Sequence, residues 1–203
     1  MKEMWDKRYN EPDFAYGNEP NEFLVSRVND IPKGNVLCLA EGEGRNAVYL
    51  AKLGYCITAV DQSIVGLEKA QNLAKQQGVF IDILVADLSD FDIKANYWDG
   101  IISISAHVPS ELRKKLHCQI VERLKPNGVM ILEAYTKKQL DMDGTGGPPP
   151  GHKDMFMSLN GLKNEFKGLD FIVAREIERV FNEGKYHQGA GAVVQIVANK
   201  KNI

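Results

Sequence analysis

The chain of 203 residues is short of cysteine, of long apolar runs and of charge of one sign. Its three cysteines, Cys38, Cys56 and Cys118, stand too far apart for a disulfide framework or a thiolate metal site. Cys38 and Cys56 lie in apolar runs and are expected to be buried, reduced thiols; no metal is expected. No stretch approaches the roughly 18 apolar residues of a membrane span, and the polar start Met1 to Asp6 lacks the core of a signal peptide. Lys and Arg number 25 against 27 Asp and Glu, a net charge of -2, so no basic field awaits a phosphate backbone. The expectation is a cytoplasmic protein without membrane or nucleic-acid partner, a monomer or weak homodimer. Hydrophobic residues make up 44%, enough for a globular core, and the length fits one domain over residues 1–203, without room for a separate substrate domain.

Apolar, strand-like runs recur at Val36 to Ala40, Cys56 to Asp61, Phe80 to Ala86, Trp98 to Ser105 and Val129 to Tyr135. Between them, Arg45 to Leu53, Ile64 to Gln77 and Pro109 to Leu124 carry apolar residues at helical spacing, the last with Ser110 as its expected cap. Alternation of this kind predicts an α/β, doubly wound, mostly parallel sheet. Strands apolar on both faces, such as Ile101 to Ile104, fit a sheet covered by helices on each side. The glycines and prolines within Lys137 to Lys153 predict a long loop. After it come a helix at Ser158 to Phe166 and strands at Phe171 to Phe181 and Ala192 to Ala198; joined without a helix, these two must be antiparallel. The aromatic first 33 residues, with Trp5, Tyr9, Phe14 and Tyr16, are expected to form cap helices over the ligand edge of the sheet.

The stretch "VLCLAEGEGRNAVYLA", Val36 to Ala51, feeds a strand into a glycine turn and a helix. Gly42, Gly44 and Ala47 match the G-x-G-x-x-G/A fingerprint, and Asp61 follows at the distance of a ribose-binding acid. That pattern alone fits a nicotinamide dinucleotide or a nucleoside bearing a sulfonium. Glu41, if it points into the site, repels a pyrophosphate and attracts an ammonium or sulfonium. Glu43, and as an alternative Glu41, reads equally as a solvated loop acid at a helix start.

Five ordered segments now resemble the class I S-adenosylmethionine-dependent methyltransferases: "VLCLAEGEGRN", "VDQS" at Val60 to Ser63, "VADL" at Val85 to Leu88, "WDGIIS" at Trp98 to Ser103 and "LKPNGVMILE" at Leu124 to Glu133. The resemblance runs from Val36 to Ala198 and implies a seven-stranded, Rossmann-like sheet with an antiparallel C-terminal strand. It implies S-adenosylmethionine as cofactor and S-adenosylhomocysteine as product. The usual pattern has Asp, Gly and Cys or Ser where this chain has Cys38, Ala40 and Glu41. "WDKRY", "FAYGNEPNEFL" and "LAEGEGRN" are similar to a bacterial subgroup related to tellurite-resistance, thiopurine and thiol methyltransferases.

The resemblance implies cofactor contacts at Glu41, Gly42, Gly44, Asn46, Asp61, Gln62, Asp87, Leu88 and Ser103. In this assignment Asp61 holds the ribose, Gln62 borders the adenine, and Asp87 and the Leu88 N–H meet its edge. Arg45 meets either the donor's carboxylate or a neighbouring loop. His107, just after the fourth strand, is the candidate catalytic base. Tyr9, Tyr16, Tyr135, Gly147 and His187 are candidates for the acceptor site, with the Lys137 to Lys153 loop as a mobile lid. The expected reaction is methyl transfer to a small molecule. The poverty of bases points to a soft sulfur, selenium or tellurium nucleophile. "SAHVPS", Ser105 to Ser110, departs from the motif of amino-methylating nucleic-acid enzymes. Two alternatives are an NAD-dependent oxidoreductase and a non-catalytic module that binds S-adenosylmethionine.

Overall fold

A computed structural model describes residues 2–148 and 151–201. Five parallel strands come first: β1 (Asn35–Leu39), β2 (Cys56–Asp61), β3 (Asp82–Val85), β4 (Gly100–Ile104) and β5 (Val129–Tyr135). Two long strands, β6 (Leu169–Glu183) and β7 (His187–Lys200), form an antiparallel hairpin, and β7 pairs antiparallel with β5. The order is β3-β2-β1-β4-β5-β7-β6, the seven-stranded methyltransferase-type sheet. Chain direction reverses its path between β1 and β4, and ligands of such sheets gather at that switch point, beyond the carboxyl ends of the strands.

Side-chain alternation builds two cores. Val36 and Cys38 of β1 face Leu24, Val48, Leu50, Leu67 and Ala70. Those side chains come from α2 (Glu22–Arg27), α3 (Arg45–Lys52) and α4 (Ile64–Gln76). Leu37 and Leu39 face Leu116, Ile120 and Leu162. These belong to α5 (Ser110–Arg123) and α6 (Leu159–Glu165) on the opposite side. The first helix, α1 (Lys2–Tyr9), lies against α4.

Some local expectations change. Cys38 is buried, but Cys56, the first residue of β2, is exposed at the strand's polar end. Ser110 is not a side-chain cap; Pro109 holds that position and the Ser110 N–H donates to Asp154 at 3.2 Å. The late strands extend well beyond their apolar cores. The Lys137 to Lys153 segment is not featureless: Lys137–Asp141 forms a 3-10 turn, and Thr145 pairs with Gln188 like a strand. Pro149 and Pro150 lie outside the described residues.

Candidate active site

The glycine turn sits at the switch point, and its backbone is left-handed at every second residue from Ala40 to Gly44. Ala40 has φ +49°, Gly42 +63° and Gly44 +88°, while Ser105, just past β4, has +56°. Gly44 ends the turn and caps α3; a Cβ there would come 2.5 Å from the Ala70 Cβ, so only glycine lets α3 start this close to α4.

Two carboxylates organise this turn. Glu41 Oε1 accepts the Asn46 and Ala47 N–H groups at 3.0 and 2.7 Å, occupying the N-terminus of α3. Burial pushes its carboxyl up to about 7, against the hydrogen bonds and the Arg45 charge that favour ionisation. Asp61 accepts from the Ser63 N–H at 2.8 Å and from the Gly42 N–H at 3.0 Å, and its burial likewise raises its pKa. A pyrophosphate needs free helix-terminal N–H groups. Here the N–H groups of Asn46, Ala47 and Gly42 already face carboxylates. The donor set suits a nucleoside with a cationic tail: carboxylates at two strand ends, and glycine backbone that permits close approach.

A second cluster lies where β5 meets the β6–β7 turn. The His187 ring is 4.4 Å from Tyr16, 5.3 Å from Tyr135 and 6.0 Å from Phe181 between centroids. Gly146 and Gly147 press on Tyr135; a Cβ on Gly146 would be 2.2 Å from the tyrosine oxygen. Beneath the rings lies a buried polar network. Glu183 accepts from Arg45 at 2.8 Å, from Arg179 at 2.8 Å and from Asn21 at 3.3 Å. Glu133 accepts from Asn21 at 2.7 Å, Arg179 at 2.8 Å and Gln195 at 2.6 Å. Arg45 follows Gly44 directly, so this network is bonded to the glycine turn. A groove of about 570 Å³ opens elsewhere, between α2, α3 and α4, with Tyr49 and Lys52 on its walls. It runs along α3, with Arg45 among the residues that line it.

Residues 36–128 match the family model described as a methyltransferase domain. This part of the chain, from β1 to the turn before β5, is thus similar to the methyltransferase family of that description. The chain is 30% identical, over 117 residues, to the ubiquinone biosynthesis O-methyltransferase of Rickettsia canadensis, covering 57% of this chain and 49% of the relative. It is 30% identical over 140 residues to the uncharacterized methyltransferase YodH of Bacillus subtilis, covering 68% and 56%. The chain thus spans about half the length of the curated relatives it matches. The structure of TehB from Haemophilus influenzae shares the fold, with a TM-score of 0.73 at 21% identity over 98% of this chain and 67% of that one.

For a methyltransferase turn, Gly42, Gly44, Glu41, Asp61 and the partly buried Gln62 stand together at the β1 and β2 ends. Asn46 is buried, and its Oδ1 accepts from the Asn21 N–H at 2.9 Å, tying the cap to the turn. Asp87 is exposed after β3 and folds back to accept the Ser89 N–H at 2.9 Å, leaving its second oxygen outward, while Leu88 is buried. Ser103 is buried near the end of β4 and lines a small cavity with Leu39, Leu88 and His117.

Four of the five acceptor-site candidates, Tyr16, Tyr135, Gly147 and His187, come together; Tyr9 does not. Its ring wedges between Gly42 and Gly66, behind the glycine turn, and reaches the others only through Trp5, which stacks on it at 5.5 Å. His107 is corrected from catalytic base to structural residue. Its Nδ1 bonds the Met155 carbonyl at 3.0 Å and its Nε2 accepts the Tyr135 N–H at 3.2 Å, leaving neither nitrogen for a substrate. Burial pushes it down to about 4. Glu43 is no solvated acid either: it is buried, accepting from the Ala15 N–H at 2.8 Å and pairing with Lys69 at 2.6 Å. Arg45, expected against the donor's carboxylate or a neighbouring loop, pairs with Glu183 at the end of β6.

Sequence reasoning missed Asn21, Glu133, Arg179 and Glu183. Glu133, a lone acid inside the apolar strand "VMILEAY", was the visible signal, since an unpaired charge is not buried there without partners.

Proposed function

We propose that this methyltransferase acts on a small molecule bearing a soft sulfur, selenium or tellurium nucleophile, as a cytoplasmic monomer or weak homodimer with no nucleic-acid partner. The observation that carries the cofactor side is Glu41 on the N-terminus of α3, which denies that terminus to a pyrophosphate and sets a carboxylate beside Asp61. S-adenosylmethionine, when bound, supplies an electrophilic methyl on a positively charged sulfur. Glu41 and Asp61 would hold its cationic and ribose portions, Gly42 and Gly44 would admit its backbone approach, and Asp87 with the Leu88 N–H would meet its base.

The acceptor reading rests on the second cluster. Tyr16, Tyr135, Phe181 and Phe156 gather over a polar network whose four charges, Arg45, Arg179, Glu133 and Glu183, cancel. Aromatic side chains suit a polarizable, sulfur-type atom. Holding nucleophile and methyl in line accounts for about 7–11 kcal/mol of the barrier in reactions of this type. The Lys137 to Lys153 loop, pinned by the Thr145–Gln188 pair at 2.7 Å, would cover the acceptor and exclude water.

The test is a thermal-shift titration with S-adenosylhomocysteine and NAD, followed by labelled-methyl transfer to thiols, selenite and tellurite. Stabilisation by S-adenosylhomocysteine alone and label in the soft acceptors are expected. Stabilisation by NAD would favour the oxidoreductase; tight S-adenosylhomocysteine binding without transfer to any acceptor would favour a binding module.

A further inference from the structure

His187 and Glu183 form a histidine–carboxylate pair with no counterpart at the glycine turn. His187 Nδ1 lies 3.3 Å from Glu183 Oε2, and Glu183 is held by Arg45 and Arg179. An ionised carboxylate only accepts, so Nδ1 carries the proton and Nε2 keeps its lone pair. Among the described residues no hydrogen bond occupies Nε2.

The other two histidines that are not exposed do not compete. His107 has both nitrogens on backbone groups. His117 also pairs with a carboxylate, Glu165 at 2.6 Å, but it stacks on Phe166 at 4.3 Å, its carboxylate is clamped by Arg113, and no hydrogen bond links it to the turn. The His187 pair, by contrast, is bonded through Glu183 to Arg45, the residue after Gly44.

A second, independent feature points to a ligand here. The Tyr135 hydroxyl is buried without a hydrogen-bond partner on a side chain only 1% exposed. A donor left unpaired in the interior costs about 1–3 kcal/mol and calls for a reason. Burial, reinforced by the Glu183 and Glu133 charges, keeps it protonated.

We propose that His187 is the general base of the transfer, positioned by Glu183, and that the acceptor is a neutral thiol or phenol whose heteroatom accepts from Tyr135. This rests on the methyl-transfer reading above; it keeps the sulfur acceptor, in its protonated form, and adds its oxygen counterpart. The acceptor's X–H proton passes to His187 Nε2 and the freed pair on X forms the X–CH3 bond. The donor's methyl–sulfur bond breaks with its electrons going to sulfur, and the imidazolium returns the proton to water.

Tyr16, Tyr135, Phe181 and His107 face the ring, with Arg45, Glu183, Glu133 and Arg179 as the charges around it. Burial pulls its pKa below the usual 6.5, and the Arg45 charge adds to this, against the hydrogen bond and charge of Glu183 and the Glu133 charge. The ring is therefore neutral at pH 7, as a base must be. At saturating S-adenosylmethionine, turnover of a protonated acceptor should fall only on the acid side of about 6.5.

The test uses the whole protein and two acceptor pairs at pH 7: benzyl mercaptan (protonated) with pentafluorothiophenol (ionised), and phenol with pentafluorophenol. His187→Gln should lower kcat/KM roughly 10²-fold for the protonated member of the accepted pair and less than about threefold for the ionised one. S-adenosylhomocysteine affinity should be unchanged. Equal losses on both members would overturn the inference and make His187 structural. Nitrogen-15 NMR of the wild type gives a readout free of turnover: Nδ1 protonated is expected, and Nε2 protonated would overturn it. If the wild type methylates none of the four while binding S-adenosylhomocysteine, the methyl-transfer reading is what fails, and the tautomer still decides whether the pair is built as described.

Discussion

Tyr135 and Glu41 show how single residues can carry function at the expense of stability. Removing an unpaired buried hydroxyl removes its desolvation cost, so Tyr135→Phe should raise unfolding free energy by about 1–2 kcal/mol while weakening acceptor binding. Calorimetric Tm alongside acceptor KM reads both; a lowered Tm would mean the hydroxyl has a structural partner. Glu41, raised to about 7, changes charge inside the working pH range. Above 7 it is ionised and attracts a sulfonium; below 7 it is protonated and does not. Affinity for S-adenosylmethionine relative to the uncharged sulfur of S-adenosylhomocysteine should therefore fall about tenfold, or 1.4 kcal/mol, from pH 8 to pH 6. Glu41→Gln keeps an oxygen for the α3 N–H groups but should flatten that slope in isothermal titration. At this scale the sequence was most legible where chemistry is local: Gly42, Gly44, Glu41 and Asp61 act within 20 residues of one another. His107 misled because its position after β4 fits a base, whereas its two partners, Met155 and Tyr135, stand 48 and 28 residues away.

Elements were legible to the degree that burial is two-sided. Strands β1, β2, β4 and β5 are covered on both faces, read as continuous apolar runs, and fall within a residue or two of the sequence expectation. The hairpin strands were underestimated because their ends alternate and face solvent: Val180, inside β6, is 73% exposed. Packing between elements is harder to see. Gly44 reads as a fingerprint residue, yet its contact with Ala70 makes it the spacer between α3 and α4. Gly54, with φ +85° and no atom within 4 Å of a Cβ, isolates the backbone effect alone. Gly54→Ala should cost about 1 kcal/mol from strain, and Gly44→Ala at least 1–2 kcal/mol more from the added clash. Urea unfolding of the two variants measures the difference, and equal costs would mean that α3 shifts freely on α4.

Across the whole molecule, the N-terminal segment ties the glycine turn to the β6–β7 turn. Tyr9 rests on Gly42 and Gly66, and Ala15 is bonded to Glu43. Asn21 is bonded to Asn46 on the cofactor side and to Glu133 and Glu183 on the acceptor side. Glu11 bonds Lys185 and Tyr186 in the β6–β7 turn, and Gly17 packs so tightly on Gly184 that a Cβ on Gly184 would be 2.3 Å from the Gly17 nitrogen. These partners lie as far as 175 residues apart in the chain, so no local pattern announced them. A ligand that orders the glycine turn must also order whatever is bonded to it, because fixing Asn46 fixes Asn21 and with it the carboxylates under His187. Saturating S-adenosylhomocysteine should therefore slow amide exchange in three places at once: residues 40–47, the cap from Ala15 to Leu24, and the turn from Glu183 to His187. Asn21→Ala should uncouple them, leaving protection at residues 40–47 and losing it at the β6–β7 turn. Protection that stays confined to the glycine turn in the unaltered protein would show that the cap is a cover and not a connection. In that case the cofactor could bind without organising the acceptor side.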